Sequence, residues 1–144
     1  MIILSLNEIP IPLQRHRSRK MGNRIMTYDP QVKEKSRIQM ELFNQYQDAP
    51  VSGLLSARFE FTFTVPKSYS KKKKEYLLIN PYKITRPDLS NYIKFYEDVM
   101  NKLIYNDDAQ IVEIYSTKKW GAKDSVLITI TKIPSISFFI LSTR

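Results

Sequence analysis

The sequence predicts an α+β fold in a single domain, with two main helices on one face of a mixed or mostly antiparallel sheet in the order β-α-β-α-β-β. Three observations predict it. Residues 54–65 alternate apolar and polar side chains, as a half-buried strand does. Two segments, about 30–47 and 89–104, repeat apolar residues every three or four positions. No internal repeat and no long linker divides the 144 residues.

The elements follow in order. Ile2 to Leu6 read as a short first strand before Pro10 and Pro12. Arg15, His16, Arg17, Arg19, Lys20 and Arg24, with Gly22 among them, are too polar to bury and are expected as a surface loop. Asp29-Pro30 matches an N-cap followed by a first-turn proline, and Ile38, Leu42, Phe43 and Tyr46 supply the stripe of the first helix. Pro50 follows its end. Phe59, Phe61 and Phe63 mark the buried face of the next strand, which Pro66 stops. A polar insertion carrying Lys71 to Lys74 then runs to about Tyr82. Tyr92, Phe95, Tyr96, Val99 and Leu103 form the stripe of the second helix, with Asn91, Lys94 and Asp98 on the opposite face. Residues 108–118 and 125–133 read as two further strands joined at Trp120 to Asp124, and 134–144 as an apolar C-terminal tail. Its run Ile136 to Leu141 is far shorter than the roughly 20 residues that span a bilayer, so no membrane partner is expected.

Composition narrows the chemistry. Apolar residues make up 42% of the chain, enough for one core that folds without a cofactor. Zero cysteines exclude disulfides and thiolate zinc sites, and a single histidine argues against a nitrogen-rich metal site or a Ser-His-Asp triad. Any metal must be held by oxygen, which selects hard cations, Mg2+ or Mn2+. A net charge of +9, concentrated in two segments, attracts polyanions, with nucleic acid the leading partner. The N-terminus lacks a secretory pattern, so a cytoplasmic location is expected.

Asp88 stands where the second helix begins, and Asp107 with Asp108 just before the following strand. Carboxylates on the ends of rigid elements can converge on a cation that relieves their repulsion. The same residues also suit ordinary structural duties: Asp88 as an N-cap, Asn106-Asp107-Asp108 as a turn, and Lys94 as a solvated lysine paired with Asp98. For phosphodiester hydrolysis the cation polarises the phosphoryl group and acidifies water, while a lysine such as Lys94 steadies developing charge.

The run Arg86-Pro87-Asp88-Leu89-Ser90-Asn91-Tyr92-Ile93-Lys94, then Glu97-Asp98, then Asn106-Asp107-Asp108-Ala109-Gln110-Ile111-Val112, resembles the core pattern of the RusA family of Holliday-junction resolvases. The resemblance is close over residues 86–112 and weaker outside them. It implies a homodimeric, Mg2+-dependent endodeoxyribonuclease that nicks four-way DNA junctions in recombination and repair, with Mn2+ a possible substitute. Asp88 and Asp108 match the family's metal-binding carboxylates and Lys94 its catalytic lysine. Asp107 and Ser90 are further metal candidates, and Asn91 and Asp98 supporting ones. Ser90 departs from the pattern, since a second carboxylate often stands there, and this leaves open a non-catalytic DNA-binding module of the same fold. Arg15, Arg17, Arg19, Lys20, Arg24, Lys71, Lys72, Lys73, Lys74 and Arg86 are the expected phosphate contacts.

Overall fold

The computed structural model describes residues 1–134. The predicted tail from 134 lies outside the described residues except for Pro134 itself. Strands β1 (Ile2–Leu6), β4 (Leu55–Thr64), β5 (Ile111–Gly121) and β6 (Ser125–Lys132) form one mixed sheet in the order β1-β6-β4-β5. A separate antiparallel pair, β2 (Arg17–Met21) and β3 (Arg24–Tyr28), stands beside it. The helices are α1 (Val32–Gln45), α2 (Lys71–Ile79) and α3 (Leu89–Met100).

The α+β class holds, and the sheet with the two helices packed on it follows the expected order. Ladder partners share a face, so the row Leu4, Ile128, Phe59 and Ser116 points to one side, as do Val126, Phe61 and Lys118. On that side α1 contributes Ile38 and Leu42, and α3 contributes Tyr92, Phe95, Tyr96, Val99 and Met100, all buried. Phe61 lies 5.5 Å from the Tyr92 ring and 5.6 Å from that of Tyr96, within the range of favourable aromatic pairs. Tyr96 also accepts a hydrogen bond from the Ile11 amide at 3.0 Å, which ties the chain after β1 to α3.

β5 runs parallel to β4 because α2 and α3 form the crossover between them. Their register slips by one residue where Leu55 pairs Ile111 and Ser56 pairs Glu113. Val112 is the extra residue of this bulge, 57% exposed. Among the described residues β5 is an edge strand, with segment 81–83 covering only its far half: Lys83 N donates to Lys118 O at 2.9 Å and Trp120 N to Pro81 O at 2.7 Å.

Two segments expected without regular structure are ordered elements. The basic stretch is the β2–β3 hairpin, closed by Gly22-Asn23 with Gly22 at φ +61°, the conformation a two-residue hairpin turn needs. All ten strand residues are exposed, so the expected surface location holds. The lysine run is the first turn of α2, started by Ser70, whose side chain accepts from Lys73 N at 3.2 Å. Helix starts and ends also move. Asp29 is not the N-cap of α1; Gln31 holds that position, and Asp29 instead accepts from Gln31 N at 2.8 Å. α3 stops at Met100, and Asp108–Gln110 is a short 3-10 turn leading into β5.

Candidate active site

Asp88 occupies the N-cap position of α3, yet its side chain accepts no capping hydrogen bond. Its exposed carboxylate is therefore not spent on the helix end. The segment leading to it is held by two lysines. Lys118, on the helix-facing side of β5, donates to Thr85 O at 2.8 Å and Pro87 O at 2.9 Å. Lys83 donates to Thr85 Oγ1 at 2.7 Å. Burial, and then the charge of Lys118, push the Lys83 ammonium below the usual lysine range.

Asp107 and Asp108 have different employments. Asp107 caps the 3-10 turn: its Oδ1 accepts from Ala109 N at 2.9 Å, while Gln110 Oε1 accepts from the amides of Asn106 and Asp107. Gln110 Nε2 donates to Val51 O and Gly53 O, which fixes the turn against the start of β4. The Ala109 amide holds the Asp107 carboxyl below its usual range. Asp108 is pushed the opposite way, first by its hydrogen bond to Asp107, then by burial and by the charges of Asp107 and Asp98. Glu97, half-buried on α3, is raised by burial and then by Asp108 and Asp98, with Lys94 opposing. Asp108 thus faces the C-terminal half of α3.

Glu97 was not among the expected site residues, although it sits three positions after Lys94 on the same helix. Lys118 was missed as well; its one legible signal is a lysine at an inward position of an alternating strand. Lys94 is exposed and, among the described residues, makes no ion pair. Asp98 lies 3.7 Å from Lys35 of α1, which also pairs with Asp29 at 2.6 Å. Ser90 is exposed in the first turn of α3, and the Asn91 carbonyl accepts from Leu13 N at 2.9 Å.

Three elements carry the expected site residues: the head of α3, its middle, and the turn before β5. Asp88 heads the helix, Lys94 lies midway, and Asp108 stands near Glu97 and Asp98. Asp88 and Glu97 are nine residues apart, or ~13 Å of helical rise. Among the described residues no three His, Asp or Glu side chains lie close enough to hold a metal ion together. Oxygen donors under mutual repulsion nevertheless suit a hard cation, and Mg2+ commonly takes one or two carboxylates with water and phosphate completing its shell.

The candidate DNA contacts surround this helix in sequence and share one property. Arg17, Arg19, Lys20 and Arg24 lie on the hairpin, Arg15 precedes it, Lys71 to Lys74 open α2, and Arg86 precedes α3. All are exposed, and among the described residues none is ion-paired.

The fold and site define an α+β domain with carboxylates on and beside one helix and, among the described residues, cations without ion-pair partners on its outlying elements. The chain is a member of the RusA endodeoxyribonuclease family: the model of that family, described as Endodeoxyribonuclease RusA, matches residues 8–131. A curated relative, "Uncharacterized protein YqaN" of Bacillus subtilis (strain 168), is 35% identical over 88 residues. That match covers 58% of this chain, and the chain spans 61% of the relative's length.

Proposed function

We propose that the chain is a Mg2+-dependent endodeoxyribonuclease, with Mn2+ a working substitute, that nicks four-way junction DNA as a homodimer in the cytoplasm. The observation that carries this reading is the unspent carboxylate of Asp88, on a segment fixed by Lys118, at the head of the helix that bears the unpaired Lys94. Asp88 and Asp108 would hold the metal, with Asp107 and Ser90 as secondary oxygen donors and Asn91 and Asp98 in support. The bound cation would supply phosphoryl polarisation and a water of lowered pKa. Lys94 steadies the negative charge that develops on phosphate, and Asp107 holds the turn that presents Asp108. The hairpin, Arg86 and the start of α2 bind phosphates, which offsets the repulsion between DNA and the carboxylates.

The edge of β5 supports the dimer. Val112, Ile114 and Tyr115 are 57%, 47% and 53% exposed on a strand whose stretch 111–117 has, among the described residues, no neighbour on its outer edge. Such an edge pairs readily with a second copy. Antiparallel pairing centred near Ile114 carries the partner's Asp108 toward the Lys118–Trp120 end of the strand, where Lys118 holds Pro87 beside Asp88. The partner's Asp108 would then approach this chain's Asp88 across the twofold axis.

The test is cleavage of a labelled four-way junction with and without Mg2+. Wild type nicks the junction symmetrically only with metal, Asp88→Asn and Asp108→Asn lose cleavage but still bind, and Ser90→Asp cuts faster. A second reading is favoured by Ser90 itself, where a carboxylate is missing: a DNA-binding module of the same fold without catalysis. Tight junction binding with no nicking in Mg2+ or Mn2+ would establish that reading and remove the first.

A further inference from the structure

α2 buries none of its side chains, and the surface between it and β5 gathers an unusual set of rings. A cleft of about 280 Å3 is bounded by Tyr69, Tyr76, Tyr82, Ile84, Lys73 and Trp120. Tyr76, Tyr82 and Ile84 are 59%, 55% and 94% exposed, so core packing does not account for them. Three of the rings carry a cation: Lys73 Nζ lies 3.8 Å from the Tyr69 centroid, Lys119 Nζ 5.2 Å from Tyr82, and Lys83 Nζ 5.3 Å from Trp120. The walls are also fixed. Asn80 Nδ2 donates to Tyr76 Oη at 3.0 Å, and the Trp120 amide is bonded to Pro81.

Flat apolar faces rimmed by ammonium groups complement a planar ring attached to phosphates. At about 280 Å3, just below the ~300–1,000 Å3 usual for ligand sites, the cleft suits a ligand the size of a single base. A base stacked inside a duplex cannot present its face to Tyr76 or Tyr82. We infer that this cleft binds one unpaired nucleobase of DNA, stacked on Tyr76 and Tyr82, with Lys73 and Lys119 on the flanking phosphates. The inference rests on the DNA-acting reading above and adds the state of the DNA that is recognised. Thr85 also lines the cleft, three residues before Asp88, so a base seated here brings its neighbouring phosphates toward the carboxylate.

The full chain is titrated, in chelator so that nothing is cut, with a single-stranded oligonucleotide carrying one 2-aminopurine. The same strand as a duplex, and an abasic version, serve as comparisons. Binding should quench the single-stranded probe. Tyr76→Ala and Tyr82→Ala should each weaken single-strand binding ~5- to 100-fold, the span expected for one lost base stack, while duplex binding changes less than about twofold. Tyr76→Phe keeps the ring and should restore binding, which separates stacking from damage to the fold. Equal affinity for the abasic strand, or equal losses on single strand and duplex, overturns the cleft. Because no metal is present, failure to nick junctions has no bearing on this result. Intact nicking with no base effect would remove the cleft and leave the nuclease reading standing.

Discussion

The crossover between β4 and β5 contains two helices of opposite character. α3 buries five side chains in the core, whereas α2 buries none. α3 is held by apolar packing, α1 and the lysines behind its first turn, so groups attached to it keep fixed positions. α2 is held by its Ser70 cap and by hydrogen bonds within the insertion, with the sheet lending little. One crossover thus supplies both a rigid platform for the candidate chemistry and a charged outlying element with no fully buried side chain.

The comparison can be broken most directly at the core. Phe95→Ala removes a fully buried ring of α3 and should cost ~3–5 kcal/mol in denaturant unfolding, a large fraction of a small domain's stability. Lys118→Met takes the donor from Pro87 O and the shorter of two from Thr85 O, and should cost ~1–3 kcal/mol. If the clamp also sets Asp88, the same variant should lose ~10- to 100-fold in Mg2+ affinity by calorimetric titration. Unchanged metal affinity in a folded Lys118→Met protein would leave the lysine a structural role alone.

Smaller effects sharpen the contrast. Asp29→Asn removes the stronger of the two pairs made by Lys35 and should cost ~1 kcal/mol or less, because the pair is partly exposed. The hydrogen bond from Lys35, then that from Gln31, hold the Asp29 carboxyl below its usual range. Its stabilisation is therefore fully present above the unfolded value near 4 and is lost as pH falls through the folded value. Thermal midpoints of wild type and Asp29→Asn should differ at pH 7 and converge in acid. Replacing Lys71 to Lys74 with glutamine should change stability by less than ~0.5 kcal/mol. It should also flatten the dependence of log K on log salt by ~0.9 for each phosphate contact removed. A marked loss of stability would show that α2 supports the fold after all.

The same division governed what the sequence could reveal. β4, α1 and α3 were legible because each buries one face, and burial writes a period into the residues. The β2–β3 hairpin has no buried face, so only Gly22-Asn23 marked it, and the surrounding basic residues obscured that turn. α2 was hidden by its own charge, since four lysines in a first turn oppose the helix dipole and argue against a helix. At the candidate site, family spacing selected Asp88, Lys94 and Asp108. The neighbours of Asp108 were less visible, because nearness in sequence across a turn says little about which end of the helix the turn approaches. α3 stops at Met100, and the charge of Asp108 acts on Glu97 while those of Asp107 and Asp98 act on Asp108.

The sheet order has one more consequence. β6, the last strand among the described residues, lies between β1 and β4 and is hydrogen-bonded to both. On the ribosome, the opening strand and the aromatic central strand must therefore wait without this partner until residue 132 has left the exit tunnel. A nascent chain halted in the β5–β6 turn would display Phe59, Phe61 and Phe63 with one side of their strand unpaired.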